Sequence, residues 1–317
     1  MTPMRLFFAA VALTAAVVAT VWALAPADDS LATQRRGGVL RAIAVHPDGQ
    51  RVATAGDGGP VSVGPTPPGH MLLVSDGHTG KVRGLAFSPD GKLLASCGDD
   101  HTIRLWGMID GSHYTWQPSA KPVECLAFSP DGAYLAAGGA DRCVYLFHVA
   151  DRKPLLTLKG HAKHVHGLAF AADGKTVYSG GEDGVIKAWD RATGALVREV
   201  SAGKHHIHAL AVSPDGKRLY AAAGGPGLQA WDLPSLAPAA VTFAGAGLAR
   251  AVAVSPDGRR LATVHEDKRV RVWDVTGGGA VKVLRGHRAM ALGVAFAPDS
   301  TTLATAGADG TVKWWAP

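Results

Sequence analysis

GLAFSPDGKLLASCGDDHTIRLW, residues Gly84–Trp106, decides the fold. Small and large apolar residues alternate in GLAF, which suits a strand packed on both faces. Ser-Pro-Asp-Gly then makes a hairpin corner: Pro89 presets φ, Asp90 caps with its side chain, and Gly91 accepts a positive φ. KLLASC and TIRLW follow as second and third strands around an Asp-bearing turn. The stretch up to the next Gly-His supplies a fourth, outer strand.

The segment recurs. The Asp of each first turn stands at Asp48, Asp90, Asp131, Asp173, Asp215, Asp257 and Asp299, with gaps of 42, 41, 42, 42, 42 and 42 residues. So regular a period denotes one array rather than separate domains. At Gly77-His78, Ser88-Pro89-Asp90-Gly91 and Ile103-Arg104-Leu105-Trp106, then at Gly160-His161, Trp189-Asp190, Trp231-Asp232 and Trp273-Asp274, the chain resembles the WD40-repeat family. The resemblance runs over about residues 30–317 and implies an all-β fold, a seven-bladed propeller with four-stranded antiparallel blades. Residues 28–317 are accordingly expected to form the propeller and 1–27 a leader.

The resemblance also implies a buried hydrogen-bond network of His, Ser or Thr, Asp and Trp within a blade. Three blades carry all four residues: His78, Ser96, Asp100 and Trp106; His161, Ser179, Asp183 and Trp189; His287, Thr305, Asp309 and Trp315. The third blade has Asp141 but Ser119 for His and Phe147 for Trp. The fifth has Trp231 with Gly225 for Asp, and the sixth lacks only the His, replaced by Gly245. Each lost internal bond is worth about 1 kcal/mol, so these blades are expected to be softer. The first matches least, with Gly64 at the Trp position and a Pro-rich stretch, 64–69, after it.

The sequence stops at Pro317, directly after a third strand, which leaves the last blade one strand short. Shifting the fourth blade's outer strand, Leu155–His161, back by 125 residues lands on Ser30–Arg36. These residues are therefore expected to pair beside Thr311–Trp315 and latch the ring, removing an open sheet edge.

Composition sets broader limits. Charged residues are 18%, hydrophobic residues 47%, with Gly 40 and Pro 19: a turn-rich chain able to bury a core. The net charge of +6 is scattered, which argues against a nucleic-acid-binding arm and leaves a weak bias toward anionic partners. Cys97, Cys125 and Cys143 form no C-x-x-C pair, so neither a zinc site, a haem attachment nor a disulfide framework is indicated. After Arg5 the chain runs uncharged from Leu6 to Ala25, about the length that spans a bilayer's hydrocarbon core. It reads as a retained membrane anchor or, with small residues around Ala25-Pro26-Ala27, a cleaved signal peptide. Either fate puts the propeller outside the cytoplasm, periplasmic, secreted or membrane-anchored.

Ser, His and Asp together suggest a hydrolase, but here they recur in three blades at one spacing, as a scaffold element does. No G-x-S-x-G elbow, H-E-x-x-H helix or phosphate loop occurs. The Asp-Gly pairs, such as Asp183-Gly184, lack the alternating oxygen ligands of a calcium loop. No enzyme activity and no cofactor is expected.

The resemblance places the start of each innermost strand on the narrow top face. Aligned, the repeats put Arg41, Arg83, Glu124, His166, His208, Arg250 and Leu292 around the channel mouth. Two residues earlier stand Val39, Lys81, Pro122, His164, His206, Leu248 and Met290. Residues two apart on a strand share a face. The mouth thus reads as basic, from three Arg, and as carrying a His cluster. Three readings stand: a solvated rim; a mouth that binds a protein or an acidic peptide, tuned by His titration; or a metal site on His164, His166, His206 and His208. Against the metal, no carboxylate or thiolate is evident beside them. A monomeric scaffold that binds a protein or peptide through its top face is the expected function, with a propeller enzyme or metal-binding sensor as the alternative.

Overall fold

The computed structural model describes residues 28–317 apart from 67–72, 76, 226, 242 and 244–246, with 73–75 as backbone alone. Leu6–Ala25 and the small residues Ala25-Pro26-Ala27 lie outside the described residues, as do Pro67, Pro68, Gly69 and Gly245. Among the described residues no helix is long and apolar enough to cross a membrane.

The strands assemble into seven four-stranded antiparallel sheets, six of them running in chain order from an inner to an outer strand. In the second blade these are Val82–Phe87, Leu93–Gly98, Ile103–Gly107 and His113–Trp116. The hairpin corner between the first two works as its residues dictate. Gly91 takes φ +71°, the Asp90 carboxylate accepts from Ser88 Oγ at 2.7 Å and from the Lys92 amide at 3.1 Å, and the Gly91 amide donates to Ser88 O.

The seventh sheet is closed from the other end of the chain. Ala32–Arg35, within the stretch that the 125-residue shift marks, pairs antiparallel with Thr311–Trp315, Ala32 opposite Trp314 and Arg35 opposite Thr311. The latch is held by side chains too. Lys313, 3% exposed, donates to Asp28 Oδ2 (2.5 Å), Thr33 Oγ1 (2.7 Å) and Ser30 Oγ (3.2 Å).

The core is not central. It divides into seven apolar clusters, one for each seam between neighbouring blades. The seam between the seventh and first blades, where Trp314, Val312 and Ala304 meet Leu40, Ile43 and Val52, is packed like the rest. A ring of equivalent seams leaves each blade dependent on both neighbours.

Candidate functional site: the channel mouth

Every innermost strand carries a register shift at the same place. Ladder pairing jumps from Leu40 to Ala42, Val82 to Gly84, Val123 to Cys125, Val165 to Gly167, Ile207 to Ala209, Ala249 to Ala251 and Ala291 to Gly293. The skipped residues are Arg41, Arg83, Glu124, His166, His208, Arg250 and Leu292, the ring read from the repeat. A β-bulge leaves one residue unpaired and re-aims its side chain. The ring thus owes its place to seven bulges, which simple strand alternation does not anticipate. These residues line a cavity of about 520 Å³ at the mouth. Two positions further along each strand, Ile43, Leu85, Leu126, Leu168, Leu210, Val252 and Val294 form an aliphatic throat beneath it.

The mouth is not the free basic field that its three arginines suggest. Arg41 pairs with Asp57, Arg83 with Asp99 at 2.7 and 3.0 Å, and Arg250 with Glu266. Each acid lies 16 residues after its arginine, at the far end of the second strand, so one register supplies all three pairs. In the fourth blade the same spacing pairs His166 with Glu182: Nε2 is 3.2 Å from Oε1. Lys81, half-exposed, approaches Asp57 at 4.0 Å. The acids were legible in the period, but the basic reading of the mouth took the ring without its partners.

The His cluster also changes. Glu124, from the neighbouring blade, brings Oε2 to 2.8 Å from His166 Nδ1, and its Oε1 lies 3.5 Å from His164 Nδ1. Two carboxylates therefore flank the histidines, contrary to the expectation that none would. Burial works against charge on His166, but Glu124 and Glu182 outweigh it and hold its pKa above the ordinary value. Burial also works against charge on Glu182, but the His166 hydrogen bond, with His164 and His206 nearby, holds its carboxyl below the usual range. His208 behaves oppositely: burial and then Arg250, whose Nη1 is 3.5 Å away, depress its pKa to about 4. The two imidazoles are thus shifted in opposite directions, His166 up and His208 down. The rings of His164 and His166 are 6.0 Å apart, of His166 and His208 6.3 Å, and of His206 and His208 6.2 Å. His205 instead sits against Gly225, where a Cβ would meet its ring at 2.4 Å. Of the four candidate metal ligands, only His164 and His166 join a compact donor set; with Glu124 their ligand atoms lie within 4.8 Å of one another.

The three complete networks lie away from the mouth. In the second blade Trp106 Nε1 donates to Ser96 Oγ (2.9 Å), Ser96 Oγ meets His78 Nε2 (2.7 Å), and His78 Nδ1 meets Asp100 (2.9 Å). Burial outweighs Asp100 and keeps the His78 pKa below its ordinary value. A neutral ring donating from Nδ1 to Asp100 then accepts at Nε2 from the Ser96 hydroxyl. His161, Ser179, Asp183 and Trp189 repeat these contacts at 2.7–2.8 Å. His287, Thr305, Asp309 and Trp315 do so at 2.7–3.1 Å. Ser96, Ser179 and Thr305 are 0% exposed, their hydroxyls committed on both sides.

Two weak blades carry substitutes that sequence reading missed. In the sixth, Trp273 Nε1 donates to Thr263 Oγ1 at 2.7 Å, and that hydroxyl meets Nε2 of His265, 1% exposed, also at 2.7 Å. His265 occupies the position that is Gly98, Gly181 or Gly307 in the complete blades, and fills from its own strand the place of the absent histidine. In the third, Tyr145 Oη donates to Asp141 at 2.6 Å, while Trp116 packs on Phe147 with ring centroids 4.7 Å apart. All three cysteines are free thiols; burial pushes those of Cys97 and Cys125 well up.

Closed seven-blade geometry, bulged ring positions and the Trp–Ser–His–Asp relay define a repeat propeller built for surface presentation. The family model for the WD domain, G-beta repeat, matches residues 69–107, 112–148, 152–190, 241–274 and 278–316, together more than half of the chain. The protein belongs to the WD40 family. Comparison with curated proteins returned no match. The unmatched stretches include the first three strands of the first blade and all four of the fifth.

Proposed function

We propose that the protein is a non-enzymatic interaction platform that engages a protein or peptide segment at the channel mouth. WD40 propellers are commonly scaffolds of this kind. The observation that carries the reading here is the layered mouth. Five of the seven bulged positions, Arg41, Arg83, Glu124, His166 and Arg250, present a lip of paired polar groups over an aliphatic throat, and Leu248 and Met290 stand exposed on the rim. A partner segment meets apolar anchors bounded by fixed polar groups, the composition of an interaction core with a polar edge. Because the arginines are paired, the lip selects by the pattern of charge rather than by a surplus of positive charge.

We place the propeller outside the cytoplasm, on the strength of the uncharged run Leu6–Ala25 behind Arg5. Protease added to intact cells and to spheroplasts tests this: cleavage only after the cytoplasmic membrane is breached would refute it. A photo-crosslinking residue at position 290, on the rim, is expected to capture a protein in the native envelope. One at position 215, in a hairpin corner, serves as the control. No adduct at 290, or equal adducts at both, would overturn docking at the mouth.

Glu124, His164 and His166 favour a second reading, a metal-assisted mouth. Two imidazoles and a carboxylate suit zinc with a fourth position open. Zinc titration of untagged protein followed by calorimetry tests it. One site is expected in the wild type and none in Glu124→Gln; heat independent of Glu124 would end the reading.

A further inference from the structure

The first blade departs from the repeat at three of the four network positions, keeping only the hydroxyl, and the departures fit one another. Shifting His161, Ser179, Asp183 and Trp189 back by 125 residues gives Arg36, Thr54, Gly58 and Gly64. The indole is gone and the Arg36 guanidinium lies in its place, so close to Gly64 that a Cβ there would come within 2.9 Å of Nη2. The carboxylate that receives the histidine in the complete blades is gone as well, at Gly58. Arg36 Nε, Nη1 and Nη2 are all buried with no hydrogen-bond partner among the described residues, and so is Thr54 Oγ1. Burial lowers the Arg36 pKa, and no acid among the described residues offsets it. Arg36 and Thr54 are among the residues that line a cavity of about 340 Å³, with Val39, Leu40, Ala55 and Pro60.

A guanidinium stripped of water and left unpaired is a strongly unfavourable arrangement, and it becomes favourable when a matching anion is brought to it. We infer that this cavity is a binding site for a small carboxylate, held by the fork of Arg36 and the Thr54 hydroxyl. One cation in apolar walls balances one negative charge, whereas a phosphate dianion would leave a second charge uncompensated. The planar fork matches two carboxylate oxygens, and the walls of Val39, Leu40 and Ala55 suit a short aliphatic body. The ligand is a free organic acid or the C-terminal carboxylate of a peptide. Arg36 ends the latch strand, its amide donating to Gly310 O at 2.8 Å, so occupation couples to ring closure. This site is separate from the mouth and does not depend on the reading given to it.

The test is thermal unfolding and calorimetry of the full chain with propionate, a tripeptide acid, the same tripeptide amidated, and inorganic phosphate, at matched ionic strength. The unfolding midpoint is expected to rise with the logarithm of carboxylate concentration. Tighter binding of propionate than of the tripeptide acid assigns the site to free acids, and the reverse order, with the amide inert, to peptide C-termini. Arg36→Met is expected to abolish the response and to raise the ligand-free midpoint, since it removes the uncompensated cation. Arg36→His combined with Gly58→Asp and Gly64→Trp rebuilds the network, and is expected to fold with the response lost. Three results would overturn the assignment: no carboxylate response in the wild type, an equal response in Arg36→Met, or phosphate binding tighter than every carboxylate.

Discussion

Removing residues 28–35 tests ring closure while leaving Arg36 in place. The cut deletes a ladder of four register pairs, the Asp29 and Leu31 amide bonds to Arg285 O and Trp314 O, and the Arg285 amide bond to the Asp29 carboxylate. Counting one ladder bond for each register pair, at about 1 kcal/mol net for each bond, the loss comes to about 7 kcal/mol. Lys313 adds little to this figure, because stripping away its three acceptors also opens its ammonium to water. Whole domains are stable by about 5–15 kcal/mol, so the cut is expected to lower the thermal midpoint steeply and to expose an edge at Thr311–Trp315. Hydrogen exchange should quicken first in the seventh blade and then in the seams on either side. A synthetic peptide of residues 28–36 should restore the midpoint in proportion to its concentration, by strand addition. An unchanged midpoint in the truncated protein would refute the reasoning outright, and loss of stability without peptide rescue would show that the latch does more than pair.

Other outcomes follow from single residues. Burial and Arg271 hold His265 at a pKa of about 4, below its unfolded value of 6.5. The unfolded chain therefore takes up the proton first, and stability is lost as pH falls from 6.5 toward 4, by about 3 kcal/mol. His265→Gln should flatten this acid limb in urea unfolding curves, leaving the parallel contribution of His208; an unchanged slope would contradict the assignment. His166 has the opposite sign: its raised pKa gives stability that is full below pH 6.5 and fades as pH rises through the folded value. His166→Gln should thus cost more stability at pH 6 than at pH 9, and an equal cost would remove the bridging imidazolium. Ser96→Ala leaves Trp106 Nε1 and His78 without their shared hydroxyl and should destabilise by about 2–3 kcal/mol in denaturant titration. A change within error would mean that the relay carries no weight.

Much of this architecture was readable before any coordinates. Pro-Asp-Gly at a fixed interval specifies corner, strand and blade together, and the same arithmetic locates Ala32–Arg35 beside Thr311–Trp315. It also finds the ring residues, because a bulge that recurs in every repeat keeps its place in the count. What escaped was compensation. Asp57, Asp99 and Glu266 neutralise the arginines from a different strand, and only the register shows them adjacent. His265 and Tyr145 restore contacts from positions that hold other residues in the complete blades. Arg36 fills the volume left by a missing indole 28 residues further on. A repeat alignment scores each column by itself, whereas packing and hydrogen bonding are satisfied by whichever atoms arrive.

The seven bulges give the mouth a freedom that the rest of the molecule lacks. A bulged residue has no single partner opposite it in the ladder, and none of the seven belongs to the apolar seams between blades. Arg41, Glu124, His208 and Leu292 stand at equivalent places yet share no chemistry, which the same backbone tolerates in all four. Specificity can therefore be rewritten one position at a time without disturbing the strands that carry it. A combinatorial library confined to these seven codons would sample new recognition surfaces on a scaffold whose strand pairing is kept.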